Sequence, residues 1–177
     1  MAGWKQELAE IYKTIAPEAE VKKILEIGTG WATNLSILIE TIPREFTIYS
    51  IDPDEAAIET AKRVFASHVE TGRLILQKAY AEQLPFEDSF FGMVVTATTL
   101  HHLSDIEKAI HEVHRVLADN GFFIAMDWTP DSRYNPHPTS QMKESMHKVF
   151  NMVPQLFAVE DARIYRDYYI IVAKKTE

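Results

Sequence analysis

Two glycines and a later aspartate have the types and the spacing of a ligand-binding turn. Gly28 and Gly30 follow an apolar run that ends at Ile27, and glycine permits a tight turn and close approach of a ligand to the backbone. A helix that begins after such a turn points free N–H groups at the ligand, which suits a carboxylate or a phosphate. Asp52 follows about 20 residues later, where a carboxylate can accept hydrogen bonds from ribose hydroxyls. The pattern therefore favours a nucleoside-like ligand.

Asp52 also has a structural interpretation. The run Asp52-Pro53-Asp54-Glu55 is typical of a helix N-terminus, with Asp52 as N-cap and Pro53 at the first helical position. The two roles are compatible with each other. Farther along the chain, Ser104 and Glu107 have the spacing of a capping box and predict the start of another helix.

Histidines are concentrated late in the chain, and six of the seven lie between residues 101 and 147. His101 and His102 follow an apolar run, and one of them could act as a base or orient a reacting molecule. The alternative is that one fixes the loop through a backbone hydrogen bond while the other faces solvent. Asp127 and Trp128 end a later apolar run and either line the same pocket or hold its loop.

His111 and His114 have the helical spacing of a metal-binding pair. They fall with Glu107 on the polar face of the predicted helix, opposite Ile110 and Val113. No third ligand is evident in the sequence, so a solvated helix surface is the favoured interpretation. We therefore expect no metal site.

The elements that must hold these residues alternate between short β-rich runs and helical patterns, as in a parallel sheet covered by helices. The fourth strand is apolar on both faces, which is typical of a central parallel strand. A short turn at Arg166-Asp167 joins the last two strands, which are therefore expected to be antiparallel. The prediction comprises helices at 4–15, 32–41, from about 57 to before 72, from 104, and 140–150, and strands at 23–27, 46–51, 73–77, 93–97, 122–126, 162–165 and 168–173.

The topology predicts where a ligand binds. In open α/β sheets the site lies beyond the carboxyl ends of the strands, where the strand order reverses. The candidate residues are therefore those that follow each strand, at 28–32, Asp52, 80–82, 96–98 and Asp127-Trp128.

Composition excludes several classes of protein. The 177 residues are 46% hydrophobic and 25% charged, which is ordinary for one globular domain. The formal net charge of −8 disfavours nucleic-acid binding. The sequence has no cysteine, no apolar signal-peptide core and no run long enough to span a bilayer. We expect a cytoplasmic protein without a membrane span.

The glycine turn distinguishes between two nucleoside ligands. The dinucleotide fingerprint G-x-G-x-x-G/A would require Gly or Ala where this chain has Thr33. Instead an acid precedes the first glycine by two residues, in the run Glu26-Ile27-Gly28-Thr29-Gly30-Trp31-Ala32. This run resembles motif I of the class I S-adenosylmethionine-dependent methyltransferases, E/D-x-G-x-G-x-G. A nicotinamide dehydrogenase is correspondingly disfavoured.

Further motifs extend the resemblance over nearly the whole chain. "YSID" is similar to the family's second motif, and "AEQLPFEDSFFGMVVTATTLHHLSD" to its third and fourth. "IHEVHRVLADNGFFIAMDW" resembles the helix and fifth strand that follow, and "YYIIVAKK" the antiparallel last strand. The most similar group is the small-molecule branch that includes the ubiquinone and menaquinone methyltransferases.

The resemblance implies a fold, a cofactor and an activity. The implied fold is a Rossmann-like three-layer α/β/α sandwich with a seven-stranded, mostly parallel sheet and an antiparallel last strand. The implied activity is transfer of a methyl group from S-adenosyl-L-methionine to an O, N or C atom of a small molecule, with His101, His102 and Asp127 as candidate catalytic residues. The residues expected to bind the cofactor are Glu26, Ile27, Gly28, Thr29, Gly30, Asp52, Pro53, Tyr80, Ala81, Glu82 and Thr96.

Three positions depart from the family pattern. Ala32 replaces the third glycine, which adds only a methyl group. Tyr80 stands where the family commonly has an aspartate that contacts the adenine amino group. Either the backbone at Ala81 and the side chain of Glu82 make this contact, or the hydrogen bond is lost at a cost of roughly 1–3 kcal/mol. Gly92 stands where an aspartate usually precedes the fourth strand. These departures motivate an alternative, a non-catalytic nucleoside-binding module on the same fold.

Substrate selection is expected outside the shared core. A single domain over residues 1–177 is predicted, with the N-terminal helix at 1–16 and the 129–150 segment on the substrate side. Both segments are short, so the pocket is either open or completed by a second subunit. The expected state is a monomer or a homodimer.

Overall fold

A seven-stranded sheet forms the centre of the computed structural model, which describes residues 3–176. Residues 1, 2 and 177 of the predicted domain lie outside the described residues. The strands are β1 Lys23–Ile27, β2 Thr47–Asp52, β3 Leu74–Lys78, β4 Phe91–Ala97, β5 Leu117–Trp128, β6 Ala158–Ile164 and β7 Tyr168–Lys174. Their spatial order is β3-β2-β1-β4-β5-β7-β6. Strands β1 to β5 pair in parallel, and β7 is antiparallel to both of its neighbours.

Helices cover both faces of this sheet. Leu8, Leu35 and Ile58, from the first three helices, pack in one apolar cluster on one face. Ile110 and Val149 belong to a second cluster on the other face. The helices are α1 Trp4–Ile15, α2 Thr33–Thr41, α3 Glu55–Val64, α4 Ala66–Glu70, α5 Ile106–Val116 and α6 Thr139–Leu156, with 3₁₀ turns at Ala16–Glu18 and Leu100–His102. Within the described residues, no helix is long and apolar enough to cross a bilayer.

The predicted three-layer α/β/α sandwich is confirmed, including its seven strands and the antiparallel last strand. Every residue of β4 is buried, as expected for a central strand. The bounds differ most at α6, which the sequence predicted to end at Phe150 but which continues to Leu156. Its Pro154 lies in the last turn, so the missing N–H removes only one hydrogen bond near the helix end. Val64, the last residue of α3, is exposed.

Two predicted helix caps are wrong. The side chain of Asp54, not of Asp52, accepts a hydrogen bond from the first turn of α3. The side chain of Asp105, not of Ser104, accepts the corresponding bond at α5. Each observed cap residue lies later in the sequence than the predicted one. The side chain of Asp52 is therefore available for contacts outside α3. Ser104 instead bonds to Glu82.

Gly92 in β4 is explained by close approach of another backbone segment. A Cβ atom at this position would lie 2.0 Å from the carbonyl oxygen of Val21 and 3.3 Å from the Cβ of Ala19. The pairing of β4 with β5 also shifts register between Phe91 and Met93, so the strand is irregular here. The family's aspartate cannot occupy this position without moving the chain that leads into β1. The departure at Gly92 is therefore a packing requirement.

Replacing Gly92 by alanine is expected to destabilise the fold by about 1–3 kcal/mol, the usual cost of overpacking a filled site. The cause is the steric conflict with backbone atoms of Val21, which cannot rotate away as a side chain would. Urea unfolding followed by circular dichroism measures this change. An unchanged free energy of unfolding would show that the segment around Val21 moves aside freely.

Candidate functional site

A cavity of about 880 Å³ opens at the carboxyl edge of the parallel strands. The loops after β1, β2 and β4 line it, together with the segment after β3 and the end of β5. The strand order reverses between β1 and β4, so the cavity lies at the switch point where α/β sheets bind ligands. Its volume is within the range of small-molecule sites. Residues 28–30 lie on what we call the glycine side of the cavity, and His101 and His102 on the histidine side.

The glycine turn after β1 is held by the end of β2. The backbone N–H groups of Gly28 and Thr29 donate to the carbonyl oxygen of Ile51, at 2.9 and 3.0 Å. Gly28 has a φ of +91°, and a Cβ atom there would lie 2.1 Å from Oγ1 of Thr99. Glycine is therefore required for both its backbone conformation and the space that Thr99 occupies. Gly30, at φ +45°, faces open space.

Asp52 connects the glycine turn to the start of α3. One oxygen of its carboxylate accepts a hydrogen bond from the N–H of Gly30 at 2.9 Å. The other accepts from the N–H of Asp54 at 2.8 Å. An ionised carboxylate offers about four acceptor positions, so two remain for a ligand in the cavity that Asp52 lines.

Ala32 begins α2 in the left-handed conformation, with φ 59° and ψ 22°. This region costs a non-glycine residue roughly 1–2 kcal/mol and explains the glycine expected here by the motif. The strain is local, because the N–H of Ala32 still bonds to the carbonyl oxygen of Thr29 at 2.7 Å. The cavity is lined by Trp31 and Thr33 on either side of it.

Glu26 lies completely buried behind the glycine turn. Its carboxyl group accepts hydrogen bonds from Nδ2 of Asn34 at 2.9 Å and from Oγ of Ser50 at 2.5 Å. Asn34 also accepts from the hydroxyl of Tyr12 in α1, at 2.8 Å. Ser50 in turn contacts Oγ1 of Thr29 at 2.6 Å. The acid thus ties β1, α2 and β2 together through polar groups that have no access to water.

Tyr80 and Glu82 lie at the mouth of the cavity after β3. Tyr80 is 60% exposed, and its backbone forms an isolated bridge with Gln83. One oxygen of Glu82 accepts from the backbone N–H and the hydroxyl of Ser104, at 3.1 and 3.0 Å. Glu82 therefore fixes this loop to the segment that precedes α5, and its second oxygen is left for a ligand.

His101 on the histidine side is oriented by Asp127. Nδ1 of His101 lies 2.6 Å from one carboxylate oxygen of Asp127, and the backbone N–H of His101 donates to the other at 3.0 Å. Both side chains are only 1% exposed. Nε2 of His101 is buried and has no hydrogen-bond partner. A carboxylate on Nδ1 fixes the ring and places the free lone pair on Nε2.

Two more histidines complete this region. Nδ1 of His102 lies 3.2 Å from Nε2 of His137, which belongs to the segment between β5 and α6. Burial and the neighbouring His101 and His137 lower the pKa of His102 from its ordinary value. The neutral form of the His102 imidazole is therefore favoured.

Three aromatic residues also line the cavity. The ring of Trp128 at the end of β5 lies 5.2 Å from that of Tyr134 and 6.1 Å from that of Trp4 in α1. All three side chains line the cavity. The N-terminal helix and the segment after β5 thus meet at the cavity.

Comparison with known proteins identifies the family of this chain. The sequence model of a family described as a methyltransferase domain matches residues 25–125. The chain belongs to the class I S-adenosylmethionine-dependent methyltransferases. It is similar to the uncharacterised methyltransferase YcgJ of Bacillus subtilis, with 31% identity over 69% of this chain and 46% of that protein. Similarity to the ubiquinone/menaquinone biosynthesis C-methyltransferase UbiE of Citrifermentans bemidjiense is 25% over 60% of this chain and 46% of the relative.

The methyltransferase domain also has close structural neighbours. A solved S-adenosylmethionine-dependent methyltransferase from Aquifex aeolicus superposes with a TM-score of 0.74 at 17% identity, over 99% of this chain and 100% of its own. This likeness shows the fold. The chain spans about half the length of the curated relatives it matches, the Bacillus YcgJ and the Citrifermentans UbiE. The cofactor of the family is S-adenosyl-L-methionine.

The structure brings most of the predicted site residues of the methyltransferase domain to one cavity. Thr96 does not line the cavity, because its hydroxyl donates to the carbonyl oxygen of Ile27 within the sheet. Glu26 and Asp127 do not line it either and act on residues that do. Those that line it are Ile27, Gly28, Thr29, Gly30, Asp52, Pro53, Tyr80, Ala81, Glu82, His101 and His102.

Sequence reasoning missed several cavity residues. Asn34 is the second residue of α2, and its pairing with Glu26 eight residues earlier has no motif of its own. Tyr134 and Pro136 come from an irregular segment whose path no periodic pattern predicts. For Thr99 the glycine at position 28 is an indirect indication, because a glycine is needed where another side chain packs against the backbone.

The histidines on α5 do not form a second site. His111 is exposed, and the ring of His114 lies 5.3 Å from that of Phe157. Across the described residues 3–176, neither belongs to a group of three side chains that could hold a metal ion. Burial lowers the pKa of His114.

The protonation of Glu26 is linked to stability. Burial raises the pKa of this carboxyl group from its ordinary 4.5 to about 8, although the hydrogen bonds from Ser50 and Asn34 oppose the shift. The folded chain therefore holds a proton over a pH range in which the unfolded chain has released it. The contribution to stability is full below about pH 4.5 and is lost as the pH rises toward about 8.

We expect the free energy of unfolding of the native chain to fall, relative to that of Glu26→Gln, as the pH rises from about 5 to about 8. The slope of this difference is at most about 1.4 kcal/mol per pH unit. Glutamine keeps the shape, can still bond to Asn34 and Ser50, and does not titrate. Urea unfolding of both proteins across this range measures the difference, and a flat difference would contradict the buried acid.

Proposed function

We propose that this domain transfers a methyl group from S-adenosyl-L-methionine to a small-molecule acceptor. The observation that supports it most is that one cavity has the glycine turn with Asp52 on one side and the buried His101–Asp127 pair on the other. A nucleoside cofactor and a reacting molecule could thus meet at the centre. Bound S-adenosylmethionine would supply the methyl group as an activated sulfonium.

The glycine side has the features that this cofactor requires. The turn lets a ligand approach the backbone closely at Gly30, where no atom lies within 4 Å of the position that a Cβ atom would take. The remaining acceptor positions of Asp52 suit the two ribose hydroxyls. Glu26 positions Asn34 and Thr29 from behind, so we assign it a role in holding the turn rather than direct contact.

The histidine side has a base for the acceptor. Nε2 of His101 has a free lone pair on the buried side of a ring that Asp127 holds. A hydroxyl or amine acceptor would pass its proton to this nitrogen as its O or N atom bonds to the methyl carbon, and the sulfonium leaves as a neutral thioether. Asp127 positions the ring and stabilises the imidazolium that forms. Most of the rate would come from alignment of the two molecules in a cavity that restricts water.

The aromatic residues that line the cavity indicate the shape of the acceptor. Trp4, Trp128 and Tyr134 present flat apolar surfaces that favour a planar or apolar molecule. One relative is named for ubiquinone and menaquinone biosynthesis. A phenolic or quinol-like acceptor therefore fits the site best.

The remaining proposals rest on the sequence. We propose a single domain over residues 1–177, a cytoplasmic location, and a monomer or homodimer. The net charge of −8 supports a small-molecule partner over nucleic acid.

Asp52→Ala is expected to weaken adenosylhomocysteine binding about tenfold or more, because the ribose loses a charged acceptor. Asp105→Ala is the matched control, since it removes a helix cap outside the cavity and should cost about 1 kcal/mol of stability without changing affinity. Calorimetry measures the affinity and urea unfolding the stability of each variant. Failure of the native chain to bind adenosylmethionine or adenosylhomocysteine at about 1 mM would overturn the proposed function.

His101→Gln is expected to lower kcat by about 10²–10⁴ while the affinity for adenosylhomocysteine stays unchanged, because only proton removal is lost. The acceptor is first found by screening phenols, quinols and amines with methyl-labelled adenosylmethionine. His111→Gln, on the exposed surface of α5, is the control and should keep full kcat. Cofactor binding without transfer to any acceptor would favour the non-catalytic nucleoside-binding module instead.

A further inference from the structure

Three histidines from two separate segments converge at the histidine side of the cavity. His101 and His102 lie in the 3₁₀ turn after β4, and His137 precedes α6. One ring nitrogen from each lies within 4.8 Å of the other two. They are the only such group of three ligand-forming side chains found in the part of the chain that the structure describes.

The distances between these rings match those of ligands that share one metal ion. Two imidazole nitrogens bound to a tetrahedral Zn²⁺ at 2.0–2.1 Å lie about 3.3 Å apart. Nδ1 of His102 and Nε2 of His137 are 3.2 Å apart. A hydrogen bond between two neutral rings would give the same distance, so the pair of His102 and His137 alone does not distinguish a metal site from a hydrogen bond. The ring nitrogen of His101 provides the distinction.

Nε2 of His101 is a buried atom with a free lone pair and no hydrogen-bond partner. Buried polar atoms without a partner are uncommon in folded proteins, so its environment requires an explanation. Its other ring nitrogen is taken by Asp127 at 2.6 Å. A carboxylate on the far nitrogen is the usual outer-shell partner of a metal-bound histidine, because it fixes the ring and raises the basicity of the ligand nitrogen.

We propose that His101, His102 and His137 bind a divalent transition-metal ion of the zinc type. The ligands would be Nε2 of His101, Nδ1 of His102 and Nε2 of His137. Imidazole donors suit Zn²⁺, Co²⁺ and Ni²⁺ and do not suit Mg²⁺ or Ca²⁺. Each histidine has a ring nitrogen within 4.8 Å of one from each of the other two, so rotation of the less buried His102 and His137 can gather the ligands. This site differs from the sequence-based expectation of no metal.

Its position determines what bound metal would do. Three protein ligands leave a fourth coordination position, and His101 and His102 both line the cavity. The lone pair on Nε2 of His101 can hold either a metal ion or the proton of an acceptor. Metal occupancy and the proposed base role therefore exclude each other, although metal binding itself does not depend on the methyltransferase activity.

The test is titration of the full chain, carrying no affinity tag, with Co²⁺ and then Zn²⁺. We expect one equivalent of Co²⁺ to produce the visible absorption of a four-coordinate ion and Zn²⁺ to displace it. In calorimetry, His137→Gln should raise the Kd for Zn²⁺ about tenfold or more, since a direct ligand is lost. His111→Gln, which changes an exposed histidine outside the cluster, should bind as the native chain does.

Two results would overturn the site. One is the absence of Zn²⁺ uptake by the folded native chain at about 1 mM metal, which leaves only binding far weaker than protein zinc sites show. The other is native affinity in both His102→Gln and His137→Gln, with folding of each checked by circular dichroism. Adenosylhomocysteine binding, measured separately without metal, tests the proposed function, so failure of either proposal can be recognised while the other stands.

Discussion

The buried carboxyl group of Glu26 is the contact on which the geometry of the cavity depends. It joins Asn34 at the start of α2 and Ser50 in β2, and through them Tyr12 in α1 and Thr29 in the glycine turn. Burying a carboxyl group is costly unless the group is protonated or hydrogen-bonded. Glu26 has a raised pKa, which favours its protonated form, and it also accepts hydrogen bonds from Ser50 and Asn34. The turn is consequently held from beneath by polar bonds and from the side by the carbonyl oxygen of Ile51.

The parallel sheet supplies the second constraint. Because β1 to β5 run in one direction, the loops after these strands reach the same edge, and residues far apart in sequence share one cavity. Asp52 then joins two loops directly, and Asp127 joins the end of β5 to the turn that holds His101. Short side chains therefore hold the loops on each side of the cavity.

Local patterns in the sequence predict the sheet, its two helical layers and the glycine turn, because each depends on neighbours within a few residues. The predicted caps at Asp52 and Ser104 are wrong because both side chains bond to partners distant in the sequence, Asp52 to Gly30 and Ser104 to Glu82. The site residues at Tyr134 and His137 could not be predicted, since an irregular segment is placed by tertiary contacts. Of the departures from the family pattern, Gly92 is explained only by the backbone of Val21.

The first helix contacts the turn between the strands β6 and β7, and this contact has a consequence for folding during synthesis. Both carboxylate oxygens of Glu7 in α1 accept hydrogen bonds, one from Tyr165 at 2.7 Å and one from Tyr168 at 3.2 Å. Strand β7, which follows every other strand in the sequence, lies between β5 and β6. During synthesis on the ribosome the edge of β5 therefore stays unpaired until β7 emerges, and Glu7 of α1 gains its two tyrosine partners only at that stage.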